Sequence, residues 1–468
     1  MAQNTHVAAD DNAPPVTRRL ADFVAKSAGG AFPPEVEHEA RRTLLNWLGC
    51  AIGASRHATL EAALAAVREL EPPMQATVLG RRDRVDMASA ALLNGISSHT
   101  FDFDDTHLKT IIHPAGPVAS AALALAEHVG ASGQQLVDAL VLGVDVACRI
   151  GNMVYPDHYD RGWHITGSTG MLGAAAACSR LLGLDADRTT MALGIAASQP
   201  VGVREQFGSM SKPFHPGAAA RNGLTSALMA RHGFTASPRA IEAPRGLAQT
   251  YSGKCAWNEI TDELGKRFEI CYNTYKPFAC GIVIHPSIDG CITLRATHRL
   301  RPEDVARVDL RVHPLVLELT GKASPRTGLE SKFSVYHACA AGLVYGSAGE
   351  REFSDEVVAD PRILALRARV HAIADRDIDE ASADVMITTS DGNHHRFFVE
   401  HAIGSLERPM TDDDLARKFH DLVDPILGRA RADELIASAM TITAAPDVRS
   451  LTDRARSAPA PSTPNKPA

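Results

Sequence analysis

Asp102, Asp104 and Asp105 crowd into one stretch, "HTFDFDDTHLKTIIHPAG" (His99–Gly116), with Thr106 next and His113 just ahead of a proline. Carboxylates set this close to imidazoles can fix a histidine's tautomer and charge, which is what general acid–base chemistry requires. Three further islands mix bases with glycine or proline. "RGWHITGSTG" carries His164, "GSMSKPFHPGAAARNG" carries Lys212 and His215, and "YKPFACGIVIHPSIDG" carries Lys276 and His285. In these, a cation or imidazole stands where a loop enters a helix, and Pro213 is expected to turn Lys212 away from helical geometry. Unpaired N–H groups and the helix dipole favour an anion there, so converging helix starts would cradle a polycarboxylate.

Other chemistries lack their parts. No G-x-S-x-G elbow is present, and no cysteine lies in an electropositive loop. A magnesium reading of "DFDDT" needs a second acidic motif, and the other islands offer bases instead. Gly167, Gly170 and Gly173 do not form G-x-G-x-x-G and follow no strand, so they read as helix packing. What remains is His, Lys, Asp and Thr without metal or nucleophile: proton transfer beside a carboxylate.

Helices must position these groups. "PEVEHEARRTLLNWLGCAIGAS" opens with Pro34 at a first-turn position, and "SGQQLVDALVLGVDVACRIG" with Ser132 as N-cap. "GSTGMLGAAAACSRLLGL" and "HPGAAARNGLTSALMARHG" are helices rich enough in glycine and alanine for close approach. After Phe268 the texture changes. "VARVDLRVHPLV", "ASADVMITTS" and "HHRFFVEHAI" alternate as strands, the last two joined by "DGN" as a hairpin, with a helix in "ESKFSVYHACAAGLVYG". Helix returns at "TDDDLARKFHDLVDPILG" under a Thr411 cap. The expected fold is mainly α: a large all-helical domain (16–267 and 402–450) and a smaller α+β domain (268–401) inserted before the C-terminal helices. Residues 1–15 and 451–468, poor in core-forming side chains, are expected to be disordered tails.

With 468 residues, 45% hydrophobic and 22% charged, the chain has the composition of a soluble globular protein of two or three domains. A net charge of −7 argues against nucleic acid as partner. The eight cysteines show no paired spacing and sit mostly in apolar runs, as reduced core thiols do. Spacings of nine and eleven between Cys271, Cys280 and Cys291 match no common iron–sulfur motif. Neither a signal peptide nor a long apolar run is present, so the expected location is cytoplasmic, with no membrane partner.

"LNGISSHTFDFDDTH", "HPAGPVASAALALAE", "SKPFHPGAAARNG" and "KPFACGIVIHPSID", in this order, resemble the MmgE/PrpD family over about residues 16–450. The resemblance implies a helical domain with a smaller α+β lid, a homodimer, and work without metal or organic cofactor. It implies a small di- or tricarboxylate substrate, with Asp102, His113, His164, Lys212 and His285 as catalytic residues and Thr106 and Tyr336 as substrate-binding ones. Asp104 and Asp105 are expected to cap and orient the loop, and an acid beside His113 to raise its pKa. The implied activity is a lyase of the 2-methylcitrate dehydratase type, which removes a proton alpha to a carboxylate and eliminates water. Epimerisation of an iminodisuccinate-like acid, cis-aconitate-type decarboxylation and a catalytically inactive carboxylate-binding homologue are the alternatives.

Overall fold

Pro34 is the first residue of helix α1 (Pro34–Gly53), a position whose N–H has no helical partner, and Glu35 and Glu37 face the positive end of the dipole. The computed structural model describes residues 13–457 apart from 28, 30 and 31. The helices that carry the site follow: α2 (Met87–Thr100), capped by the Asp86 carboxylate, then α3 (Ala115–Val129). Ser132 caps α4 (Gly133–Val154) in a box closed by Gln135, and α5 (Ile165–Leu181) and α6 (Ser211–Arg231) complete the set.

Glycine lets these helices touch backbone to backbone. A Cβ on Gly95 of α2 would lie 2.6 Å from the Gly217 Cα of α6, closer than carbon atoms approach. The crossing brings the C-terminal end of α2 beside the N-terminal end of α6, where the chemistry-bearing residues stand.

Two short strands tie the acidic loop to a distant segment. Strand β1 (Asp105–His107) pairs antiparallel with β2 (Asn273–Tyr275), with Thr106 opposite Thr274. Beyond them comes the α+β part: α7 (His285–His298), β3 (Val305–Val312), α8 (Val335–Tyr345), β4 (Val370–Ala374), β5 (Ala383–Thr389) and β6 (His394–Val399). The sheet order is β4-β3-β5-β6; β3 and β4 run parallel and the other pairs antiparallel. The expected hairpin joins β5 to β6, with Gly392 at φ 88° in its turn. Strand β4 was not expected: only Val370 in it is buried, so it lacks alternation.

Helix α9 (Asp412–Leu427), capped by Thr411 with Asp414, returns to the helical part and packs Phe419 and Leu422 against Gly49 and Gly53 of α1. The first residues of the tail expected from 451 are folded. Residues Arg449–Arg454 form a helix, and Leu451, Thr452 and Ala455 are buried. At the other end Ala13 is buried and a helix runs from Val16 to Lys26. Residues 1–12 and 458–468 of the expected tails lie outside the described residues. Among the described residues no helix is long and apolar enough to cross a membrane. The cysteines are free; Cys271 is exposed and Cys255 half-buried, while the other six are buried.

Candidate active site

Just past α2, Asp102 adopts the left-handed conformation (φ 51°), which Asp tolerates better than most residues. Its carboxylate Oδ1 accepts from Lys276 Nζ at 2.8 Å and from Lys212 Nζ at 2.9 Å. Lys276 also donates to the backbone oxygens of Asp102 (3.0 Å) and Cys280 (3.1 Å), which uses all three of its hydrogens. From α9, Lys418 donates to Asn46 Oδ1, the Phe103 carbonyl and the Lys276 carbonyl, and lies 3.9 Å from the centre of the Phe103 ring. The C-terminal helix therefore pins the acidic loop and the Lys276 segment to the helical layer. Asp105 accepts from Ala115 N–H at the start of α3 and from Asn273 Nδ2, the capping role expected of it.

Opposite this floor stand the imidazoles. His113 Nδ1 lies 2.7 Å from the Asp105 carbonyl, which can only accept. Nδ1 therefore carries the hydrogen and Nε2 keeps a lone pair. His164 is the N-cap residue of α5, and its Nδ1 lies 2.9 Å from His215 Nδ1. Gly202, at φ 104°, makes room for that pair: a Cβ there would meet the His215 ring at 2.8 Å. Lys212 is the second residue of α6, so Pro213 does not hold it out of the helix as expected. A proline is tolerated in the first turn because its missing N–H has no partner to lose. Besides Asp102, its ammonium faces the rings of Phe207 (5.1 Å) and Phe333 (5.0 Å).

Burial would raise the Asp102 carboxyl, but Lys212 and Lys276 outweigh it and hold the group well below the usual range. His113 is pushed down to about 3, by burial first and then by Lys276, His99 and Lys212 against the opposing pull of Asp104. The expectation that a neighbouring acid would raise it is thus corrected: desolvation wins. Burial and nearby His99 and Lys212 likewise keep His164 well below its ordinary value. Both rings are therefore held neutral.

Asp102, His113, His164 and Lys212 line one narrow cavity of about 30 Å3, joined by Lys276 and Phe207. Four of the sequence-predicted residues are brought together. Thr106 is not on its surface; it is fully buried, with Oγ1 3.3 Å from His113 Nδ1. Tyr336 sits half-buried on α8 and reaches no part of the cavity; Thr320 and Phe333 line it instead. His285 is buried with neither ring nitrogen partnered, and lines a neighbouring cavity of about 770 Å3. Ile111, Ile282 and Val283 form the wall shared by the two cavities. Lys276, His215 and His99 were missed as site residues although each lies inside a motif; nothing in a linear motif tells which of its bases turns inward.

Among the described residues, His99, Asp102, Asp104 and His113 place N and O atoms within 4.8 Å of one another, as metal ligands would. Lys212 and Lys276 already supply the positive charge at Asp102, so this donor set fits a cation poorly.

Residues 18–260 match the MmgE/PrpD N-terminal domain and residues 278–442 the MmgE/PrpD C-terminal domain. The chain is 27% identical over 464 residues to a cis-aconitate decarboxylase-like protein of Aspergillus oryzae, covering 93% of this chain and 96% of the relative. It is 24% identical over 445 residues to a cis-aconitate decarboxylase of Homo sapiens, covering 90% of each. A 2-methylcitrate dehydratase of Cupriavidus necator is 23% identical over 451 residues, covering 86% of this chain and 90% of the relative.

Proposed function

The chain belongs to the MmgE/PrpD family, and on that premise we propose that it is a lyase that dehydrates a small di- or tricarboxylic acid without a cofactor. The observation that carries this reading is the unequal wiring of two neutral imidazoles across one cavity. The lone pair of His113 Nε2 takes the proton alpha to a substrate carboxylate. Negative charge spreads onto the carboxylate oxygens, where Lys212, with hydrogens to spare beyond Asp102, meets it. When His215 donates its Nδ1 hydrogen to His164, the other nitrogen of His164 carries a hydrogen. That proton goes to the leaving hydroxyl, and the products are an alkene and water.

A cavity of about 30 Å3 has room for one or two waters, so a polycarboxylate needs it to widen. Withdrawal of the Ile111–Ile282–Val283 wall would join it to the larger cavity and bring His285 within reach of substrate. The homodimer remains part of this proposal. Decarboxylation is the second reading, favoured by relatives that bear the cis-aconitate decarboxylase name. In it a carbon–carbon bond breaks, carbon dioxide leaves and an imidazole protonates the carbon.

Incubation with citrate-, aconitate-, malate- and amino-dicarboxylate-like acids in deuterated water, followed by proton NMR, tests both. New vinylic signals with loss of substrate support dehydration, and carbon dioxide release moves the reading to decarboxylation. Binding by calorimetry without turnover of any acid sinks both in favour of an inactive homologue.

A further inference from the structure

Each dehydration leaves an extra proton on His113 and a missing one on His164, in a cavity that holds only one or two waters until its wall withdraws. His99, at the end of α2 and 1% exposed, stands between the two. Its ring centre lies 4.7 Å from that of His113 and 5.6 Å from that of His164, nearly stacked on the latter. Its Nδ1 is 2.7 Å from Asp104 Oδ2. A carboxylate accepts, so Nδ1 carries the hydrogen and Nε2 holds a lone pair. That Nε2 is buried and has no partner, and the same is true of Asp102 Oδ2 and Asp104 Oδ1. Three buried acceptors without a donor, in a cluster otherwise rich in hydrogen bonds, need a hydrogen from elsewhere.

We propose that His99, oriented by Asp104, is a positioning residue that relays the proton from His113 back to His164 between turnovers. The inference rests on the dehydration reading above. The proton leaves His113 Nε2 and forms an N–H bond at His99 Nε2. The resulting imidazolium keeps its Nδ1–H on Asp104, then releases the Nε2 proton to His164. One nitrogen or oxygen atom from each of His99, Asp102, Asp104 and His113 lies within 4.8 Å of the others, a cluster small enough for one water to bridge, and the step on to His164 crosses between rings whose centres are 5.6 Å apart.

The charges around His99 suit a proton in transit. Asp102 and Asp104 act on it from the acidic loop, His113 and His164 from the starts of α3 and α5, and His215 from α6. Burial would raise Asp104, but His99 and His113 beside it outweigh that and hold it well below the carboxylate range. An ionised carboxylate behind an imidazole is the arrangement that stabilises imidazolium in acid–base sites.

Rapid-mixing kinetics on the acid that the wild type converts tests the relay, with His99→Gln and Asp104→Asn as variants. The expected result is a burst of about one product per active site at near wild-type rate, then a steady state slower on the order of a hundredfold. Added imidazole should raise that slow rate. A first turnover slowed as much as the later ones, or a wild-type steady state, overturns the relay. Should His99→Gln fail to fold, Asp104→Asn, which keeps an acceptor for Nδ1, decides alone. A wild type that converts no acid brings down the dehydration reading and the relay with it; a relay that fails alone leaves the wild type active.

Discussion

Around Asp102 the charges are nearly all paired off: Lys276 spends each hydrogen on an oxygen, and Lys418 does the same one layer behind. Across the cavity, His113 and His164 each use one ring nitrogen and leave the other free. The two halves differ because a buried charge is costly unless saturated with partners, whereas a neutral imidazole keeps a site in reserve at little cost. The floor fixes geometry and the wall does chemistry. Lys212 bridges them, with one ion pair and two aromatic faces in place of a full set of oxygens.

The largest effect should come from breaking the floor. Lys276→Met keeps the stem but strands the Cys280 carbonyl and half the partners of Asp102; about 3 kcal/mol of unfolding free energy should be lost, read from urea denaturation. A loss under about 1 kcal/mol would mean that Lys276 is not the pin of this loop. Lys212→Ala should act on rate instead, lowering kcat by roughly a hundredfold or more with the fold intact by circular dichroism. Arginine should rescue poorly, since its planar fork is not a compact point charge. Near wild-type kcat would return Lys212 to the floor.

The wall should betray itself in acid. His113 is pushed down to about 3 and His215 to about 4, in both by burial first, from an ordinary 6.5. The unfolded chain then binds protons that the folded one refuses, so stability falls as pH drops below about 6.5. His113 alone contributes a slope of about 1.4 kcal/mol per pH unit, which flattens near pH 3. Asp105, pushed up to about 7 by burial and then by Asp104, works the other way and offsets one imidazole. Denaturation midpoints that stay level from pH 7 to 4 would contradict neutral, buried rings. The smallest effect belongs to Tyr336→Phe, which should change kcat/KM by less than about twofold; a larger change would mean that α8 reaches the substrate.

Much of the site is visible in motif spelling. The cap residues Ser132 and Thr411, the β5–β6 hairpin and the bases at helix starts follow from local rules, because caps, turns and dipoles are decided within a few residues. Strand β4 is hidden because its stability comes from pairing with β3, and its own pattern shows one buried residue. Tyr336 shows a related limit: its motif places it on α8, and only packing decides which way that helix turns.

Sequence by itself determined the residue types, their order and the helical frame, since each depends on neighbours along the chain. Only the tertiary structure decided that His113 is neutral despite an adjacent acid, because desolvation depends on everything that surrounds the ring. It alone decided that Lys276 from the middle of the chain and Lys418 from its last helices saturate the acidic loop, across separations of 174 and 315 residues. And it alone set His99 between two other imidazoles, through a crossing of α2 and α6 that exists because two glycines leave their backbones nothing to collide with.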